Sequence, residues 1–133
     1  MGEKLDRDQA LARIRASDWD VRRDAVLALG RWLPAEDAFA ALVAALNDAD
    51  TAVQQDAAEQ LVRFGRGAGL EAVLADFGRR SDDPDVDYIA YRLRELQLLE
   101  QVPLVKSARA LGSGLSADGL AGLEQFEELL DES

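Results

Sequence analysis

The residues able to do chemistry in this chain are carboxylates, guanidiniums and two tyrosines. Asp82, Asp83, Asp85 and Asp87 crowd one short segment, an arrangement that could attract Ca²⁺. The segment lacks the central glycine and terminal Glu of an EF-hand loop, so no metal site is expected. Asp18 and Asp20, Asp48 and Asp50, and Asp83 and Asp85 form Asp-x-Asp pairs that could share acid–base work. Each pair precedes an apolar helical stripe, where helix capping accounts for it. Gly65-Arg66-Gly67-Ala68-Gly69 follows no strand and lacks the Lys-Ser/Thr ending of a phosphate loop. With no histidine and no cysteine, the imidazole base, Cys–His and Ser–His nucleophiles and thiolate metal sites are all excluded. A non-catalytic protein without a cofactor is expected. Tyr88, Tyr91, Arg92 and Glu95 fall at i, i+3, i+4 and i+7, so they share one helix face. Tyr and Arg are residue types that anchor binding interfaces.

The elements that must position these groups repeat along the chain. Asp18, Asp50 and Asp83 each lead a segment with Val three residues on (Val21, Val53, Val86) and Ala seven on (Ala25, Ala57, Ala90). A further step of the same length reaches Ser116. Asp and Ser accept hydrogen bonds from the orphan N–H groups of a first helical turn. Pro84, just after Asp83, suits the first helical position. Apolar residues then follow at helical spacing: Val21, Ala25, Ala28, Leu29 and Trp32; Val53, Ala57, Leu61 and Phe64; Val86, Ile89, Ala90, Leu93 and Leu96. Between them lie further helical stretches over residues 5–16, after Pro34, after Gly69 and after Pro103. The reading is an all-α chain of helical pairs, about 5–33, 34–66 and 67–99, with a degenerate capping pair over 100–133. No segment alternates as a strand would.

A chain of 133 residues is one domain, large enough for a core. It carries 15 basic and 26 acidic residues, a net charge of -11. Binding to nucleic acid draws on clustered Lys and Arg, so nucleic acid is not an expected partner. Asp118, Glu124, Glu127, Glu128, Asp131 and Glu132 crowd the last segment, which has no basic residue. In the same segment Leu120, Leu123, Phe126, Leu129 and Leu130 form an apolar face. A capping helix and an acidic partner-binding helix both fit that pattern, and Gly112-Ser113-Gly114 could let it move. The polar start Met1-Gly2-Glu3-Lys4-Leu5-Asp6 has no apolar stretch, and no run is long enough to span a membrane. A cytoplasmic monomer that avoids membranes is expected.

The pattern Asp-x-Asp-x-x-Val-Arg-x-x-Ala-x-x-Ala-Leu-Gly resembles bacterial HEAT-like repeats, the kind also found in phycobilisome lyase-type proteins. Asp48-Ala49-Asp50-Thr51-Ala52-Val53 carries its turn, and Val21-Arg22-Arg23-Asp24-Ala25-Val26-Leu27-Ala28-Leu29-Gly30 its second helix. The resemblance implies a right-handed α-solenoid that binds through the surface of its second helices. The Arg after Val is present as Arg22 but is Gln54 and Asp87 in the next two repeats, so the family's Arg–Asp ladder is expected to be interrupted. On that surface Arg22, Arg23, Gln54, Gln55, Asp87, Tyr88, Tyr91, Arg92 and Glu95 are the expected partner-binding residues, with Glu124, Glu127 and Glu128 of the acidic end. Trp19 reads as a lid over the first pair and Trp32 as core. The expected function is protein–protein interaction, in the form of a small acidic inhibitor or immunity-type protein with a basic partner. A lyase-like protein holding a small molecule in the solenoid groove is the alternative. An open apolar groove near Tyr88 and Tyr91 would favour it, and a flat polar face a protein partner.

Overall fold

The computed structural model describes residues 5–132; Met1 to Lys4, the start of the polar opening, lie outside the described residues. Eight α-helices follow one another among the described residues, without a strand: α1 (Arg7–Arg13), α2 (Trp19–Leu29), α3 (Glu36–Ala45), α4 (Thr51–Phe64), α5 (Arg66–Arg79), α6 (Val86–Leu98), α7 (Leu104–Leu111) and α8 (Ala117–Asp131). Short 3₁₀ turns extend α2 and α7. The second helices α2, α4 and α6 pack side by side, with α1 and α3 each against the second helix of its own pair, the stacking of an α-solenoid. The core runs through the stack, with Leu29, Leu42, Leu46, Leu61, Leu93 and Phe126 among its fully buried members. Removing such side chains from water is the main term favouring the fold.

Caps set the helix starts. Asp6 forms a reciprocal capping box with Gln9, and Asp50 accepts from the Ala52 and Val53 amides. Asp18 stands at the cap of α2 but makes no side-chain cap bond. The third start differs from expectation. Asp85, not Asp83, precedes α6, and Pro84 lies in the turn. Asp83 instead accepts from the Asp85 amide, just as Asp48 accepts from that of Asp50. The turn into α6 is therefore longer, and its leading carboxylate is Asp83.

A polar seam joins these turns. Arg22 grips Asp48 with Nε and Nη2, both at 2.9 Å, and its Nη1 donates to the carbonyls of Ala16 and Ser17. Gln54 donates to the Asp48 carbonyl at 2.6 Å. Its own side-chain oxygen accepts from Arg80. Arg80 also reaches the Leu46 carbonyl, Asp76 at 2.8 Å and Asp83. The expected break is bridged at Gln54, whereas Asp87 takes no part in the seam. Gln54 relays the contact, and Arg80 at the end of α5 brings the missing guanidinium from another helix.

The last pair departs from the repeat. α8 lies along α5, and it touches α7 far less. Gly78 and Gly122 make this possible. A Cβ on Gly122 would collide with the Leu74 carbonyl, and one on Gly78 with the Asp118 carbonyl, so the two backbones meet directly. Glu71 of α5 fixes the start of α8 by accepting from the Ser116 hydroxyl at 2.7 Å and from its amide, while Ser116 caps Gly119. Leu129 closes over Phe77, Val86 and Ala90. Gly122→Ala therefore overpacks a backbone contact and should lower stability by about 1–3 kcal/mol. Gly114→Ala, where a Cβ finds nothing closer than a side chain at 3.7 Å, is the control. Equal urea midpoints for the two variants would contradict the close approach.

Candidate binding surface

The second helices expose one flank to solvent, and ion pairs stitch it. Arg23 of α2 meets Asp56 of α4 at 2.5 Å. Between α4 and α6 the pairing closes into a ring. Glu59 accepts from Arg63 at 2.8 Å and from Arg92 at 2.6 Å; Glu100 accepts from the same two arginines at 2.5 and 2.7 Å. Two positive and two negative groups neutralise one another and hold α4 against α6. Burial pushes the Glu59 carboxyl up, but hydrogen bonds from Arg92 and Arg63 outweigh it and leave the group below the usual range. A shallow groove of about 450 Å³ runs beside the ring, bordered by Trp19, Arg23, Gln55, Asp56, Glu59 and Arg92. Its walls are mostly charged.

The expected binding residues divide into three groups. Arg22 and Gln54 are structural: Gln54 is 2% exposed, and both side chains are consumed by the polar seam. Their expected place on a solvated face is corrected, because the buried Gln54 amide must find partners inside and the half-buried Arg22 guanidinium is held by Asp48 and two carbonyls. Arg23 and Arg92 lie at the surface but are engaged by Asp56, Glu59 and Glu100. Gln55 donates to the Thr51 carbonyl beside them. Asp87, Tyr88, Tyr91 and Glu95 remain open to solvent on α6. In α8, Glu124 and Glu128 are exposed, whereas Glu127 pairs with Arg109 at 2.7 Å.

The tyrosines do not pack under a following repeat. Tyr88 is 49% and Tyr91 54% exposed. The physical reason is the course of α8. By the repeat period Tyr91 stands where Val26 and Ala58 do, and both of those are fully buried. With α8 drawn onto α5, that flank of α6 stays uncovered. Trp19 is also about half exposed, at the groove mouth. Trp32 and Phe64, expected in the core, are both exposed at the C-terminal ends of second helices. The helical stripe had placed them on the core face but could not show that the core ends one turn earlier.

The family of HEAT repeats matches residues 8–97, and the chain belongs to it. HEAT repeats commonly mediate protein–protein interaction. Comparison with curated proteins and with solved structures gives no match.

The ring has a pH signature. The Glu59 carboxyl is depressed in the fold, so its contribution is full above the unfolded value near ~4.3 and is lost as pH falls through the folded one. Glu59→Gln should flatten the acid limb of stability against pH, with little change in slope near neutrality. Superimposable acid limbs for the two proteins would mean that the ring adds nothing.

Proposed function

We propose that this chain is a non-catalytic protein-binding module whose contact surface is the open flank of α6 with the neighbouring groove. Tyr88 and Tyr91 anchor the partner, Asp87 and Glu95 flank them on α6, and Trp19 stands at the far mouth of the groove. The observation that carries the reading is the uncovered pair of tyrosines on a helix locked to its neighbour by the Glu59–Arg63–Arg92–Glu100 ring. Rigid aromatic side chains contribute contact area at low entropic cost, and a braced backbone avoids ordering on binding. The groove that reaches α6 at Arg92 is walled by charge rather than apolar, which supports a protein partner over a small molecule.

The partner is basic. The net charge of -11 attracts it over distance, and Glu124 and Glu128 add unpaired negative charge on α8. In this reading α8 both caps the stack and steers the encounter, as a small acidic inhibitor or immunity-type protein would. The close packing of α8 on α5 argues against a hinged arm at Gly112-Ser113-Gly114.

The test is affinity capture from the native host, followed by kinetics with the protein recovered. Tyr88→Ala/Tyr91→Ala should abolish capture of a basic protein while leaving the melting curve in place. Glu124→Gln/Glu128→Gln should slow association at low salt and leave dissociation nearly unchanged. Capture that survives the tyrosine variant, or association that ignores salt, would overturn the reading.

A further inference from the structure

The edge formed by the C-terminal ends of α2 and α4 has a character opposite to the rest of the molecule. Most arginines here are neutralised: Arg22, Arg23, Arg63, Arg80, Arg92 and Arg109 all hold carboxylates. Arg31 and Arg66 do not, nor do Arg13 and Arg15 at the opposite end of the chain's fold, in and just after α1. Among the described residues neither Arg31 nor Arg66 makes an ion pair or a side-chain hydrogen bond, and both are exposed. These two flank the same hollow of about 370 Å³, with Phe64 and Pro34 between them. On the other side of Phe64 and Arg66 opens a second hollow of about 640 Å³. Its floor is apolar, built from Val62, Leu70, Val102, Leu104 and Leu111. Phe64 itself is 51% exposed. Two free cations thus stand beside an apolar recess, on a chain of charge -11.

The backbone at this place is strained. Arg66 and Gln101 are the two non-glycine residues with positive φ among the described residues, each at 59°. Both border the larger hollow. An L-residue in the left-handed region costs free energy that glycine would avoid. Arg66 lies between two glycines in a segment already rich in them, yet the strained position carries a guanidinium. Strain concentrated at one recess marks a site whose side chains are held for use.

We propose that this edge docks an acidic peptide segment of a partner protein, with one large apolar side chain as its anchor. The anchor enters the larger recess against Phe64, and flanking carboxylates pair with Arg66 and Arg31. Arginine suits this role because its planar fork can hold a carboxylate through two hydrogen bonds. The net negative charge of the chain disfavours such a peptide over most of the surface, and the pairing of two free cations with an apolar recess adds specificity here. This surface is separate from the α6 flank and takes a partner segment of opposite charge, so the two readings stand or fall independently.

Amide-resolved NMR of the full chain tests it, with the acetylated hexapeptide Glu-Asp-Leu-Phe-Asp-Glu as the probe. Saturable shifts should concentrate at residues 31, 64–70 and 101–111. The matched peptide with Gln and Asn in place of its acids should bind roughly tenfold or more weakly, as loss of charge-assisted hydrogen bonds implies. Arg31→Glu/Arg66→Glu should weaken binding at least as much, and Tyr88→Ala/Tyr91→Ala should leave it unchanged. Arg66→Gly relieves the strained backbone and removes the cation. It should melt no earlier than the wild type and still lose affinity, which separates a binding role from a structural one. No shift with millimolar peptide, shifts centred on other residues, or equal binding of the neutral peptide would overturn the proposal. So would dodecanoate reproducing the shifts where the peptide does not, since that would assign the recess to an amphiphile.

Discussion

The guanidinium of Arg80 is the point on which the stacking of this solenoid turns. It leaves the end of α5, crosses beneath two inter-helix turns, and bonds Leu46, Gln54, Asp76 and Asp83 at once. Asp76, at 2% exposure, also accepts from Asn47, so the buried carboxylate is satisfied from two sides. A charge so placed is strongly unfavourable without partners, and that makes any other packing of these turns expensive. Through Gln54 and Asp48 the seam continues to Arg22 and the turn before α2. Three turns, contributed by three repeats, are therefore held in register by polar contacts while apolar side chains fill the space between helices.

Register of the turns fixes where the second helices point, and hence what they expose. The Glu59–Arg63–Arg92–Glu100 ring forms because α4 and α6 lie side by side at the offset the seam imposes. The ring is solvent-accessible and contributes modestly to stability, as exposed pairs do. Its effect is local: it holds the helix that presents Tyr88 and Tyr91. Those tyrosines are open because α8 leaves the stack. Gly78 and Gly122 let α8 approach α5 more closely than side chains would allow, and that contact wins over continued stacking on α6. The α6 flank thus originates in a break in the repeat, and the recess at Phe64 in the glycine-rich corner between α4 and α5.

Much of the fold was legible in the sequence, because cap residues and helical apolar spacing are local signals. The all-helical make-up, the turn motif Asp48-Ala49-Asp50 and the buried Ala25, Ala57 and Ala90 all follow from them, whereas α5 packs on α4 and α8 far more than on α6. What the period missed was nonlocal. Gln54 read as a solvated polar residue because nothing near it in sequence indicates that Arg80 reaches it from 26 positions away. Asp83 read as a helix cap because the longer turn into α6 has no signature beyond Pro84. Trp32 and Phe64 sat on the apolar stripe but project past the end of the core. The candidate surface was half legible: the shared face of Tyr88, Tyr91 and Glu95 is a spacing fact, whereas its exposure depends on the path of α8. Arg66 carries a signal too, a lone cation among glycines, but without a phosphate-loop ending nothing in the sequence assigns it a partner.

The central claim is that a largely buried guanidinium paired with the buried Asp76, rather than the sum of surface ion pairs, sets the register of the stack. Urea denaturation of Arg80→Met beside Arg109→Met measures this directly. Arg80 is 12% exposed at its side chain and its partner Asp76 3%, whereas Arg109 is 65% exposed. Removing one partner of a buried pair costs about 3–5 kcal/mol, and removing an exposed pair typically less than about 1 kcal/mol. The account predicts a large loss for Arg80→Met and a small one for Arg109→Met. Equal losses for the two variants would contradict it.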